Sequence, residues 1–165
     1  MEFKEVYEYN APLDQVWKML SDPAFVVARD ENLQIPDPHV TTTATGQQIV
    51  SLTSGDVPAS MIPDAAKRFL KGGTSFEIRE EWRRVDATRA EGVMQAQGKG
   101  VPAHVNAKVV LTETPQRTTE AVMVGQLKIS IPFLGPKLER QALSFAPQLI
   151  QADNAAATAW LAAHH

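Results

Sequence analysis

The sequence lacks cysteine, basic runs and long hydrophobic stretches. Its 165 residues contain no Cys, which excludes disulfides, thiolate metal ligands and a thiol nucleophile and suits a reducing compartment. Sixteen Lys and Arg are outweighed by nineteen Asp and Glu, for a net charge of −3, and no basic cluster is present to neutralise nucleic-acid phosphates. No segment approaches the roughly 18 consecutive apolar residues of a membrane span, and the charged N-terminus lacks the apolar stretch of a secretory signal. We therefore expect a cytoplasmic protein that binds no nucleic acid and has no integral membrane segment.

Motifs for metal, nucleotide or nucleophilic chemistry are also missing from the sequence. His39 follows a proline in a predicted loop, and His104 shares a strand face with Asn106 and Lys108, so no pair of histidines has ligand spacing. There is no Gly-x-Ser-x-Gly elbow, dinucleotide fingerprint or P-loop. The closing His164 and His165 could be native or the end of a purification tag, so no function is assigned to them. We predict no cofactor and no metal site.

The composition is that of an ordinary globular protein. Hydrophobic residues make up 44% and charged residues 21% of the chain, close to the averages for soluble domains. A chain of this length fits one hydrophobic core. We expect a single domain over residues 1–165, and the oligomeric state is left open.

Alternation of apolar and polar residues predicts seven strands. In residues 2–9, Phe3, Glu5, Tyr7 and Tyr9 fall on one face, which is the period of a half-buried strand. Other alternating or Thr- and Val-rich runs are separated by Gly and Pro, as strands joined by short turns are. These runs cover residues 39–44, 47–54, 74–85, 88–98, 103–114 and 118–131.

Helices are predicted after the first strand and at the C-terminus. Asn10 is placed to cap a first short helix that ends at Ser21–Pro23, and a second short helix carries Phe25–Val27. After residue 136 the period changes to 3.6, which predicts one long amphipathic helix kinked at Pro147. Its apolar stripe consists of Leu138, Ala142, Phe145, Leu149, Ala152, Ala156 and Trp160.

The order of these elements predicts an α+β fold. A curved, seven-stranded antiparallel sheet would wrap around the long C-terminal helix, with two short helices after the first strand. Such an arrangement leaves a space between the sheet and the helix.

Several motifs carry a resemblance to a known superfamily. Ala11–Trp17 followed by Leu20–Pro23 resembles the first-helix signature of the START-like, or SRPBCC, superfamily, which includes Bet v 1-like and polyketide cyclase-like proteins. Within it, the chain is most similar to the DUF2505 family through Val57–Pro58, Phe69–Leu70, Glu80–Trp82 and Ile131–Glu139. The resemblance implies a helix-grip fold with a deep cavity that superfamily members use for lipids, sterols, polyketides and plant hormones. Because members include carriers, receptors, cyclases and oxygenase subunits, it implies a class of ligand and no particular reaction.

Polar residues on faces expected to be apolar are the candidates for chemistry. Glu5 and Glu80 each share a strand face with large apolar residues, where burial would raise the pKa of a carboxyl and suit it to acid–base work or to orienting a ligand. Tyr7 and Tyr9 could donate to a ligand carbonyl, or be core residues with their hydroxyls at the rim. Either glutamate could instead lie in water or pair with a nearby arginine, Arg79, Arg83 or Arg84.

The remaining candidates line the expected cavity. Residues 56–72 interrupt the strands and carry apolar side chains in a segment type that is usually polar, with a helical turn from Asp64 to Lys71 ended by Gly72–Gly73. We assign no catalytic residue. The predicted ligand-binding residues are Phe3, Glu5, Tyr7, Met61, Phe69, Phe76, Ile78, Glu80, Trp82, Met94, Met123, Leu127, Phe133, Leu138 and Phe145.

Three functions are compatible with this sequence. The first is a protein that binds a hydrophobic small molecule such as a lipid, an isoprenoid or a polyketide. The second is an enzyme of the cyclase or dehydratase type, in which Glu80, Glu5 or Tyr7 moves protons on a bound substrate. The third is a partner-binding module without a ligand, which a filled interior and a large exposed apolar patch would favour.

Overall fold

Strands are the most abundant regular element of the described residues, and the helices follow the first, the third and the last strand. The computed structural model describes residues 1–70, 74–100 and 102–164. The strands are β1 (Glu2–Tyr9), β2 (His39–Ala44), β3 (Gln48–Asp56), β4 (Ser75–Arg84), β5 (Arg89–Lys99), β6 (Ala103–Glu113) and β7 (Thr119–Ile129). The helices are α1 (Leu13–Leu20), α2 (Pro23–Asn32), α3 (Asp64–Lys67), α4 (Gly135–Leu143) and α5 (Ala146–Ala163), with a 3-10 turn at Ala59–Met61 before α3.

The strands form one antiparallel sheet in the order β1-β7-β6-β5-β4-β3-β2. Strands β2 to β7 pair with their neighbours in the chain, whereas β1 pairs with β7, so that Glu2 lies opposite Gln126 and Tyr9 opposite Thr119. The seven-stranded α+β arrangement predicted from the alternating pattern is confirmed. One face of the sheet packs against the helices and the other faces outward.

Two aromatic rings lie flat across glycines on the inner face. A Cβ added to Gly92 would come within 2.5 Å of the Trp82 ring, and one added to Gly125 would come within 2.8 Å of the Phe3 ring. Each glycine is the register partner of the aromatic residue that covers it. The absence of a side chain there lets the large rings fill the interior without pushing the strands apart.

The start of α1 differs from the prediction. Asn10 is exposed and does not cap the helix. Pro12 occupies the capping position before Leu13, and no side chain makes a capping hydrogen bond there. The Leu13 N–H instead donates to Oε1 of Glu113 on β6, at 2.9 Å. A distant carboxylate therefore satisfies a donor that a local cap would otherwise take.

Asp22 lies between α1 and α2 and is also bonded to the C-terminal helix. Its Oδ1 accepts from the Ala24 N–H at 3.0 Å, which caps α2, with Pro23 in the first turn. Its Oδ2 accepts from Nε1 of Trp160 on α5 at 2.8 Å. One carboxylate thus fixes the start of one helix and the position of another.

The C-terminal helical region is two helices. Ser144 and Phe145 separate α4 from α5, and Pro147 lies in the first turn of α5. Proline is tolerated there because the first N–H groups of a helix have no partner within it. The predicted long C-terminal helical region is confirmed, but it is interrupted at Ser144 and Phe145 rather than kinked at Pro147. Leu149, expected in the buried stripe, is 42% exposed.

Two hydrophobic clusters hold the helices on the sheet. The first joins α1, α2 and α5 to the inner face and includes Val16, Phe25, Ile49, Trp82 and Leu111. The second lies at the other end of the sheet, where α3 and α4 meet β7. It consists of Ala66, Leu127, Ile129, Ile131 and Leu138, with Ile62 and Leu134 packed against it. The predicted end of the α3 segment, Lys71–Gly73, lies outside the described residues.

Candidate functional site

An apolar cavity of about 260 Å³ lies beside the second cluster. It is bounded by the 3-10 turn and α3, by α4, and by strands β4 to β7. Among the described residues of its wall, Gln97 alone has a polar side chain, and that side chain donates to its register partner Glu77 at 3.2 Å. The wall is therefore suited to hydrocarbon and offers almost no polar partner.

Five of the predicted ligand-binding residues line this cavity. Phe76 and Ile78 come from β4, Leu127 from β7 and Leu138 from α4, while Met61 comes from the 3-10 turn. Met61 and its neighbours explain the apolar side chains of the irregular segment, which close the cavity on one side.

Other predicted residues lie on the inner face but outside the cavity wall. Trp82 is buried in the first cluster and Met123 packs against it, so both belong to the core at the far end of the sheet. Phe3 packs against the second cluster over Gly125. Met94 is half-buried on β5, and Phe145 connects the two C-terminal helices.

Phe69 and Phe133 lie outside the cavity, contrary to expectation. Phe69 is 42% exposed, and the Arg68 guanidinium lies 4.9 Å from its ring centre. The neighbouring Leu70 takes the place in the wall that was predicted for Phe69. Phe133 is fully exposed, and its backbone has a φ of 66°.

A buried charged cluster occupies the middle of the inner face, between α2, α5 and β4. The Arg29 guanidinium on α2 lies 3.4 Å from Oε1 of Glu80, 3.6 Å from Oδ1 of Asp153 and 3.7 Å from Oδ1 of Asp30. Its side chain is 16% exposed and also lies over the Phe25 ring. One cation thus faces three carboxylates: Asp30 on its own helix, Asp153 on α5 and Glu80 on β4. Without the cation, buried negative charge would be left uncompensated and the arrangement would not be stable.

Two tyrosines extend this cluster along β1. The Tyr9 hydroxyl donates to Oδ2 of Asp153 at 2.5 Å, and the Tyr7 and Tyr9 rings meet edge to face with centres 5.7 Å apart. They share a face because they are two residues apart on a strand. Both hydroxyls therefore lie next to buried negative charge.

Burial controls the protonation of these groups. It raises the pKa of Tyr9 and of Tyr7 above the usual range, and the negative charge of Asp153 raises them further. Burial also raises the pKa of Asp153, against the opposing effect of Arg29, and raises that of Asp30 from 3.8 to about 6. The phenols are therefore neutral donors at physiological pH and poor bases.

Glu5 and Glu80 have different surroundings. Glu80 is buried against Arg29, whereas Arg79 and Arg83 pair with Glu81 and Glu91 on the outer face. Glu5 is half-buried opposite Met123 and makes no hydrogen bond or ion pair with the residues that the structure describes. Glu80 follows Ile78 on the same face of β4, so the charged cluster borders the apolar cavity.

Sequence reasoning missed Arg29, Asp30 and Asp153. Arg29 and Asp30 occur in a charged stretch of α2 that is typical of a solvated helix face. Asp153 stands next to Ala152 in the buried stripe of α5. A charged residue adjoining a helical apolar stripe was the one available signal.

Comparisons with known proteins identify the family. The model of the family described as "Protein of unknown function (DUF2505)" matches residues 5–161, nearly the whole chain. The chain belongs to DUF2505. The resemblance stated from the first-helix motif and the segment 131–139 is confirmed, and no curated protein matches the chain.

Solved structures show that this DUF2505 chain has the START-like helix-grip fold. TTHA0849 from Thermus thermophilus aligns with a TM-score of 0.63 at 13% identity, over 99% of this chain and 98% of that one. A START superfamily protein from Mycobacterium smegmatis aligns with 0.54 at 14%, over 93% and 94%. Norcoclaurine synthase from Thalictrum flavum, solved with dopamine and hydroxybenzaldehyde, aligns with 0.55 at 13%, over 100% and 88%. At these identities the likeness concerns the fold alone.

Proposed function

We propose that this DUF2505 protein binds a small, predominantly apolar molecule in the cavity between α3, α4 and the sheet. The observation that carries the proposal is the wall of that cavity, whose described residues are all apolar except Gln97, and the Gln97 side chain is paired with Glu77. A hydrocarbon group entering it would leave water without leaving a polar group of the wall unpaired.

The size of the cavity limits the ligand. About 260 Å³ is just below the range of about 300–1,000 Å³ that holds drug-sized ligands. A short acyl chain, a small isoprenoid or one ring of a polyketide fits this volume better than a sterol does. A polar end of the molecule would point along β4 from Ile78 towards the cluster of Glu80 and Arg29.

A cyclase or dehydratase reaction is the second candidate, and one observation favours it. Glu5 lacks a polar partner in the described part of the chain and lies two residues from Tyr7, a neutral phenol. A carboxyl group and a neutral phenol on one strand face could act as base and acid. Glu80 is a weaker candidate because Arg29 holds it.

The first test is to identify what the protein carries. Native mass spectrometry of protein purified from its own cells, followed by denaturing extraction, should show an apolar molecule bound one to one. An apo mass throughout, together with no uptake of apolar fluorescent probes, would count against a binding function.

A matched pair of variants locates the site. Ala142→Phe places a ring into the cavity wall, whereas Ala155→Phe places the same ring on the exposed side of α5. We expect the first to weaken binding of an anilinonaphthalene sulfonate probe about tenfold or more by filling the space, and the second to leave it unchanged. Equal affinities would place the bound probe elsewhere.

A further inference from the structure

The loop between β7 and α4 holds an aromatic ring out in water. Phe133 is fully exposed, although the residues on both sides of it are held by the fold. Ile131 is buried in the second cluster, and its carbonyl accepts from the N–H groups of Leu134 and Gly135 at 3.2 and 2.9 Å. Gly135 is packed closely, since an added Cβ would lie 2.5 Å from the Ile129 carbonyl oxygen. The loop therefore has a fixed shape that presents this ring.

The backbone of Phe133 is strained as well. Its φ of 66° lies in the left-handed region, which costs a residue with a side chain free energy that glycine avoids. An aromatic residue there bears that cost and also leaves its ring in contact with water. Folding alone gives no reason for a phenylalanine at this position.

A second exposed aromatic ring lies at the same end of the molecule. Phe69 follows α3 and is 42% exposed. Ala66 of α3 and Leu138 of α4 belong to one hydrophobic cluster, with Leu134 packed against it. The segments 57–70 and 128–140 therefore flank the same cavity, and each presents one ring outward.

These two segments carry a charge opposite in sign to that of the whole protein. The two segments contain five basic and two acidic residues, a net charge of +3, while the chain carries −3. Glu139 is buried, where its Oε2 accepts from the Ile129 N–H, and Asp64 pairs with Lys67. The basic residues are Lys67, Arg68, Lys128, Lys137 and Arg140, and all of them are exposed.

We propose that segments 57–70 and 128–140 form a docking surface for an anionic lipid membrane, in which the Phe133 ring inserts among the headgroups. Exposed aromatic rings on segments that also carry exposed cations match an interface that is apolar below and negatively charged above. No helix in residues 1–70, 74–100 or 102–164 is long and apolar enough to cross a membrane, so the contact would be peripheral. The surface flanks the cavity, and docking would bring the cavity next to lipid.

Vesicle binding of the full chain tests this surface. We expect sedimentation with vesicles of about seven parts phosphatidylcholine to three parts phosphatidylglycerol, weaker binding to phosphatidylcholine alone, and release in about 0.5 M NaCl as the charges are screened. Phe133→Gly should weaken binding to the anionic vesicles about tenfold or more by removing the inserting ring. Its melting temperature should not fall, because glycine adopts this φ freely. Lys137→Glu combined with Arg140→Glu should abolish the preference for anionic vesicles.

Controls separate this inference from the proposed function. Val93→Ser removes a side chain 45% exposed on the outer face of β5 and should leave vesicle binding unchanged. Phe133→Gly should keep the affinity for the cavity probe. No binding to anionic vesicles, or binding that Phe133→Gly does not weaken, would overturn the proposal. A self-association that Phe133→Gly abolishes, without vesicle binding, would also overturn it and make the loop an interface between two copies.

Discussion

Replacing Asp30 with asparagine should stabilise the protein at neutral and alkaline pH. Oδ1 of Asp30 lies 3.7 Å from Arg29, and Oδ2 is buried without a hydrogen-bond partner among the described residues. Burial raises the pKa of this carboxyl from 3.8 to about 6. The side chain is therefore charged at pH 7 in a place that favours its neutral form.

The size of the effect follows from that pKa. At about 1.4 kcal/mol per pH unit, ionising Asp30 in the folded protein costs about 3 kcal/mol above pH 7. Because the folded pKa is raised, the stability that this group contributes is fully present below pH 3.8 and is lost as the pH rises through about 6. Asp30→Asn keeps the shape of the neutral acid and should not lose stability over that range.

Urea unfolding at two pH values measures the difference. Near pH 4 the two proteins should have similar free energies of unfolding, and near pH 8 Asp30→Asn should be more stable by about 2–3 kcal/mol. Glu31→Gln, on the exposed side of the same helix, should change the free energy by less than about 0.5 kcal/mol at either pH. A variant less stable than the parent at pH 8 would refute the reasoning, because Arg29 would then stabilise the charged carboxylate by more than burial costs it.

Three further substitutions test contacts elsewhere in the fold. Arg29→Met should lower the free energy of unfolding by about 3–5 kcal/mol at pH 7, because it leaves buried carboxylates without their cation. The loss should be smaller at pH 5, where the groups with raised pKa take up protons. An equal loss at both pH values would contradict this. Asp22→Ala should lower the free energy of unfolding by about 1–3 kcal/mol, because it removes a helix cap and leaves the indole N–H of Trp160 unpaired. An unchanged melting temperature would argue against both contacts. Gly92→Ala should lower the free energy of unfolding by about 1–3 kcal/mol and change the near-ultraviolet circular dichroism, since the new methyl group overlaps the Trp82 ring. A native spectrum would show that the ring can move aside freely.

The strands could be predicted from the sequence because their signal is local. The run 2–9 coincides with β1, and β4 to β7 begin and end within two residues of their predicted bounds. The break in the C-terminal helical region was harder to place. Proline in the middle of a periodic run is compatible with a kink or with a new first turn, and the packing of α4 on β7 selects the second.

The charged cluster could be predicted only in part. The partner of Glu80 was sought among arginines close to it in sequence. Arg79 and Arg83 are an odd number of residues away and so point to the opposite face of the strand, and Arg84 pairs with Asp14 on α1. The true partner, Arg29, is on a helix fifty-one residues earlier. Contacts between distant elements depend on how the helices lie across the sheet, which no local pattern in one sequence records.

The pairing of β1 with β7 has a consequence for synthesis on the ribosome. The first strand to emerge has its partner more than a hundred residues later, opposite Thr119–Gln126. Strands β2 to β6 can pair as each successive hairpin emerges, but β1 keeps an open edge until β7 has been made. We expect this strand to stay unpaired while β2 to β6 are made, and the sheet to reach its final topology only once β7 has left the exit tunnel.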